Sequence, residues 1–165
     1  MTKFDKNKLH YVVATGIVIK NGKYLIAKRS EKEKAFPGRW TVPGGKLEAE
    51  DYIKREKDAG ELWYYVLEDL LKREIEEEVG LKIKNIRYLL SLAYIRSDGF
   101  PTLIISLYVD WASGKVKLNE DLTEYKWVTL KEAKKYDLIE GIYDELKMTD
   151  RVLKGKKASW RGKSE

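Results

Sequence analysis

Three glutamates, Glu74, Glu77 and Glu78, stand at spacings i, i+3 and i+4 in the segment Arg73-Glu74-Ile75-Glu76-Glu77-Glu78-Val79-Gly80-Leu81. On a helix such residues are neighbours. With Glu74 at zero and 100° per residue, Leu67, Glu78, Leu71 and Ile75 fall at about 20°, 40°, 60° and 100°, Leu70 at about 320° and Glu77 at about 300°. The three acids therefore converge on one face and aim at a core, while Glu76 points the other way. Carboxylates so placed need a compensating partner. They repel one another, and they occupy the last turns of a helix, where the macrodipole disfavours each anion by about 0.3–1 kcal/mol. A hard divalent cation reverses every one of these penalties, because it takes carboxylate oxygens, water and phosphate oxygens as ligands. A solvated acidic face is the plain alternative; it suits Glu76 and fits Glu74 and Glu78 poorly. Arg73 stands four residues before Glu77 and can pair with it or orient a neighbouring carboxylate.

Pro43-Gly44-Gly45-Lys46 is the second feature with chemical meaning. Paired glycines let a backbone pass close to a ligand. A carbonyl or N–H there can face a metal or a phosphate, and Lys46 adds positive charge. Alone, such a segment is a turn; beside an acidic helix it becomes informative.

The elements that would position these residues follow from periodicity and turn chemistry. Tyr11–Lys20 and Lys23–Arg29 read as a hairpin about Asn21-Gly22. Trp40 to Val42 is a short strand stopped by Pro43-Gly44-Gly45, and Lys46 to Gly60 is a charged excursion. Leu62 to Val79 has helical periodicity closed by Gly80. Strands are predicted over Leu81–Ile86, Tyr88–Ile95, Thr102–Trp111 and Tyr125–Val128. Thr129 and Glu132 form a capping-box pattern, and a further helical region runs from Tyr136 to Leu153. Strands with one helix among them and one after them make a layered α/β or α+β domain.

Bulk properties limit the function classes. The length of 165 residues suits one domain over 1–165, with a basic, frayed tail from about residue 154. The absence of cysteine removes disulfides, thiolate metal sites and cysteine nucleophiles, and fits the cytoplasm. No apolar run is long enough to span a membrane, and Met1 to Lys8 lacks the apolar stretch of a signal peptide. Net charge is +6, and Lys147 to Lys163 holds seven Lys or Arg against one acid, Asp150. Such a run attracts polyanions, but Trp160 is its only aromatic, so a solvated tail is favoured over an RNA-binding one. No Ser-His-Asp set, P-loop or dinucleotide fingerprint is present.

The glycine pair and the acidic helix together resemble the Nudix hydrolase family. Its box reads Gly, five residues, Glu, seven residues, then Arg-Glu-U-x-Glu-Glu-x-Gly-U, with U bulky and aliphatic. Gly45 fits the first glycine; Arg73, Glu74, Ile75, Glu77, Glu78, Gly80 and Leu81 fit the second half. Trp40 to Lys46 is similar to the family's lead-in, and Tyr125 to Val128 to its late strand. Two departures stand out. The interval from Gly45 to Leu81 is fourteen residues longer than the box, with the insertion in the charged stretch around 46–65. The first glutamate position holds Asp51, and Glu48, Glu50 or Glu61 could replace it in space.

The resemblance implies an α/β/α sandwich with a mixed central sheet. It implies Mg²⁺ or Mn²⁺ on Glu74, Glu77 and Glu78, with the Gly44 carbonyl as a further ligand. The reaction implied is attack of water on a phosphorus of a pyrophosphate link, in a nucleoside triphosphate or a nucleoside diphosphate-linked substrate. Glu77 is one expected base. Glu120 is another, from the stretch Leu118 to Glu124, with Glu124 behind it. Lys46 and Arg29, with its neighbour Lys28, are expected to meet phosphate. His10 is expected to be structural, and Trp63, Tyr64 and Tyr65 to enter the core at the front of the helix. Two rival readings are a nucleotide-binding sensor without turnover, and an RNA 5′-end pyrophosphohydrolase using the basic tail. Monomer and homodimer are both compatible with the sequence.

Overall fold

In the computed structural model, which describes residues 4–158, the hairpin forms as expected. β1 (Tyr11–Lys20) turns into β2 (Lys23–Arg29) through Asn21 and Gly22, whose φ angles of 51° and 72° are those a tight hairpin turn requires. β3 (Trp40–Thr41) and β7 (Leu122–Val128) pair with β2, and β4 (Gly44–Lys46) pairs with β1, all antiparallel. β6 (Pro101–Ser113) runs parallel to β1, and β5 (Lys82–Ile95) lies antiparallel to β6 at the edge. The result is a mixed, seven-stranded sheet.

Helix α1 (Val66–Val79) covers one face, burying Leu70, Leu71, Ile75 and Val79 against Ala14, Val18, Leu25, Ala27, Leu107 and Val109. Contact is closest at Gly16, where a Cβ would come within 2.9 Å of Ile75 Cδ1. Helices α2 (Leu130–Ala133) and α3 (Ile142–Leu153) cover the other face, over Ile17, Tyr24, Trp40, Val42 and Tyr108. This is the expected three-layer α/β/α arrangement. The Thr129–Glu132 capping box is present, with reciprocal bonds of 3.2 and 2.8 Å.

Four local readings are corrected. The long helix begins at Val66 rather than Leu62. Leu62 bridges Ala59, Tyr65 is left-handed at φ 57°, and Asp58 Oδ2 accepts the Tyr64 N–H at 2.9 Å, so Leu62 to Tyr65 is held out of the helix. Trp63 packs on Tyr52, with centroids 5.3 Å apart, and donates to the Arg55 carbonyl. Tyr64 and Tyr65 are 49% and 72% exposed, so this trio does not enter the core. The strand from Trp40 stops before Pro43 as expected, but the glycine pair is more than a turn, since Gly44–Lys46 pairs with β1 as β4. The stretch after Gly80 is one long strand, irregular near Asn85, rather than two.

The excursion after β4 carries a single 3₁₀ turn, Ala49–Asp51. Among the described residues no helix is long and apolar enough to cross a membrane. α3 ends at Leu153; Trp160, Arg161 and Lys163 of the basic tail lie outside the described residues.

Candidate active site

Glu78 is drawn out of solvent in the last turn of α1, where it meets β4. The Gly44 N–H donates to its Oε2 at 3.2 Å. Burial pushes the carboxyl up to about 8; the Gly44 bond and the Arg29 charge oppose this, whereas the charges of Glu74 and Asp121 add to it. One residue along β4, a Cβ on Gly45 would overlap the Glu74 carboxylate. Gly45 is thus the gap into which Glu74 fits. Gly44 is equally constrained, because a Cβ there would strike the Ala14 carbonyl and Thr15. Register explains both contacts: Gly44 pairs with Thr15 and Gly45 with Ala14, so alternate positions of β4 face opposite sides.

Arg73 organises the rest of this edge. It reaches Asp51 at 2.6 Å, Glu74 at 3.1 Å and Glu77 at 3.0 Å. Burial works against its charge, but Glu74, Asp51 and Glu77 more than offset that and hold the guanidinium above its ordinary value. Glu74 is raised by burial and by Glu77, with Arg73 opposing. Asp51 is only 9% exposed, whereas Glu50 and Glu61 are exposed and paired with Lys54 and Lys57. Glu48 caps the 3₁₀ turn. Asp51 therefore stands where the first glutamate of the box was sought. Its spacing from Gly45 was the available signal.

The expected convergence of three carboxylates holds for two. Glu77 is 56% exposed and turned toward Arg73, because at about 300° it lies past the edge of the buried stripe. Among the described residues no three acidic or histidine side chains are gathered closely enough to hold a metal ion between them.

The loop before β7 completes the edge. Asn119 N–H donates to the Glu78 carbonyl at 3.0 Å and Lys117 N–H to that of Val79 at 2.9 Å, which satisfies the end of α1. Within this loop Asp121 and Glu120 are both exposed, and it is the charge of Asp121 that acts on Glu78. Spacing did not single out Asp121. It is set by its neighbour Leu122, which is buried and in register with Arg29. Arg29 pairs with Glu33 at 3.1 Å yet still acts on Glu78. Glu124 pairs with Lys28 at 3.4 Å, away from the acids of α1. Lys46 turns to the opposite side, over the Tyr11 ring. His10 is exposed.

In donor chemistry, with two carboxylates already converging, these residues suit a hard divalent cation. The donors are all oxygens, the set such ions prefer. Glu78 is a partly desolvated acid crowded by Glu74 and Asp121, and a positive charge would relieve both costs. The atoms nearest to the space over Gly45 are those of the Glu74 carboxylate.

Comparisons with known proteins bear on the family and the fold. The family model described as NUDIX domain matches residues 10–147. The nucleoside triphosphatase NudI of Escherichia coli is 30% identical over 132 residues, covering 74% of this chain and 84% of that one. A MutT NUDIX hydrolase from Burkholderia pseudomallei superposes with TM-score 0.67 at 22% identity, covering 85% of this chain and 98% of that one. The NUDIX domain of Shewanella oneidensis NrtR, solved with ADP ribose, gives TM-score 0.69 at 16% identity, with 91% and 94% covered. Members of the family generally use divalent metal cations. The chain belongs to the NUDIX family and is a pyrophosphohydrolase of the Nudix type.

Proposed function

We propose that this protein hydrolyses the pyrophosphate linkage of a nucleoside triphosphate, or of a nucleoside diphosphate-linked compound, with Mg²⁺ or Mn²⁺. The observation that carries this reading is the seating of Glu78 on the Gly44 N–H beside Glu74 over Gly45. The likeness to NudI, a nucleoside triphosphatase by name, supports the triphosphate form. The cytoplasm, where such nucleotides are pooled, is the setting this reading implies.

Glu74, Glu77 and Glu78, with the Gly44 carbonyl, would hold the cation, which when bound screens phosphate charge and acidifies water. Arg73 is a positioning residue: anchored on Asp51, it fixes the carboxylates of Glu74 and Glu77. Arg29 and Lys46 attract the phosphate chain from either side of β4. Water adds to a phosphorus, the bridging P–O bond breaks, and the bridging oxygen departs with the second phosphate. The proton of the water passes to the carboxylate of Glu77 or Glu120, both open to solvent.

The test is a turnover screen with Mg²⁺ over canonical and oxidised nucleoside triphosphates, nucleotide sugars, ADP-ribose and dinucleoside polyphosphates. Glu77→Gln and Glu78→Gln are each expected to lose about a hundredfold or more in rate on the best substrate. Rates equal to the parent's would overturn the reading.

A further inference from the structure

Two cations from distant parts of the chain meet over one aromatic ring on the far side of β4. Lys46 Nζ lies 5.1 Å and Arg96 Cζ 4.9 Å from the centroid of the Tyr11 ring. Phe100 packs on the same ring, with centroids 4.4 Å apart. Arg96 ends the β5–β6 hairpin, which is firmly closed: Arg96 N–H donates to Phe100 O at 3.1 Å, Gly99 N–H to Arg96 O at 2.8 Å, and Phe100 N–H to Asp98 Oδ1 at 3.1 Å. The parallel register of β1 and β6, with Tyr11 opposite Thr102, brings this hairpin to the start of β1.

Charge at this point is unbalanced. Asp98 pairs with Arg96 at 3.0 Å, and among the described residues no carboxylate lies within ion-pair distance of Lys46. Two cations held on one ring repel each other, and an anion between them would relieve that repulsion. Because alternate residues of β4 face opposite sides, Gly45 opens toward Glu74 while its neighbour Lys46 points to Tyr11. The acidic edge and the cation pair are thus back to back across a strand of three residues. A phosphate chain bent over that strand would present one end to the acids of α1 and the other to Lys46 and Arg96.

We propose that Arg96 is a substrate-binding residue, which with Lys46 holds the anionic phosphate chain on the α3 side of β4. The proposal rests on the hydrolytic reading above and assigns a role to a hairpin that the glycine pair and acidic helix do not include.

Titration calorimetry of inorganic tripolyphosphate into the full chain, in EDTA, tests binding apart from turnover and from the identity of the base. The parent and Glu78→Gln are expected to bind, the latter at least as tightly. Arg96→Ala and Lys46→Ala should each bind about tenfold more weakly. Arg96→Lys, which keeps the charge but loses the fork, should recover part of the affinity. In turnover assays Arg96→Ala should raise KM about tenfold and leave kcat within about twofold. Melting curves confirm that each variant folds. If Arg96→Ala binds tripolyphosphate like the parent, or the parent does not bind it, the proposal fails even where Glu78→Gln abolishes turnover. If Arg96→Ala loses binding while Glu78→Gln turns over normally, the cation pair stands and the hydrolytic reading falls.

Discussion

Glu78 and Glu145 are carboxyls withdrawn from water on opposite faces of one sheet, yet their surroundings differ in kind. Glu145, in the first turn of α3, is 5% exposed and faces the fully buried Ser106 of β6. Burial raises its carboxyl, the Ser106 hydroxyl eases it back, and only Asp144, on its own helix, adds a like charge. Glu78 sits at an edge of the sheet, bound by a backbone N–H and crowded by Glu74, one turn earlier on its own helix, and by Asp121 from the loop before β7. A single sealed acid can remain protonated and serve as a polar core group. Several acids brought together beside a glycine strand create a demand for positive charge. On the proposed reading, convergence rather than burial separates a functional carboxyl from a structural one.

The largest effect expected from this contrast is catalytic. Glu78→Gln should lose about a hundredfold or more in kcat/KM, whereas Glu145→Gln, which substitutes a neutral isostere, should stay within about threefold. Parallel kinetics on the two variants check this, and equal losses would erase the distinction.

Stability against pH gives the next effect. The Glu78 carboxyl is raised from about 4.5 to about 8 in the folded chain. A raised pKa means that the folded state holds its proton more tightly than the unfolded one. Its contribution is therefore complete below about pH 4.5 and is lost as pH rises through about 8. Melting temperature in EDTA should fall over that range, and Glu78→Gln should flatten the fall. Added Mg²⁺ or Mn²⁺ should restore the parent at the alkaline end, because a cation binds the deprotonated form. Glu145 is raised in the same direction, but its part of the slope should be indifferent to metal.

Smaller effects concern the supports of the acids. Gly45→Ala should displace the Glu74 carboxylate and cost about tenfold in activity, measured with melting curves to show that folding survives. Asp51→Asn should loosen Arg73 and cost a few-fold in kcat. At the bottom of the scale, Glu76→Gln, on the exposed side of α1, should match the parent in both assays.

What was legible beforehand follows the reach of each physical signal. Helical phase is local, so the placement of Glu74 and Glu78 in the apolar stripe was readable, as was Gly80 as the helix stop. Phase near the stripe's margin is ambiguous, and Glu77 proved to lie outside. The Asn21-Gly22 hairpin and the Thr129 cap were carried by turn and capping chemistry. Asp51 was obscured because fourteen extra residues break the box. The structure shows why the break is harmless: Asp51 keeps its interval from Gly45, and the added length falls after it, folded around Arg55 and Trp63. Tyr64 and Tyr65 misled because aromatic residues before an amphipathic helix resemble its first turn. Asp121 and Arg96 depend on strand register across long separations, and no local pattern encodes that.

On the proposed reading Glu78 belongs to a cation site and Glu145 does not. Titration of Mn²⁺ followed by electron paramagnetic resonance, near pH 7.5, tests it most directly. The parent and Glu145→Gln are predicted to bind the ion alike, with Glu78→Gln binding at least about tenfold more weakly. Failure of the parent to bind, or equal weakening in the two variants, would contradict the account.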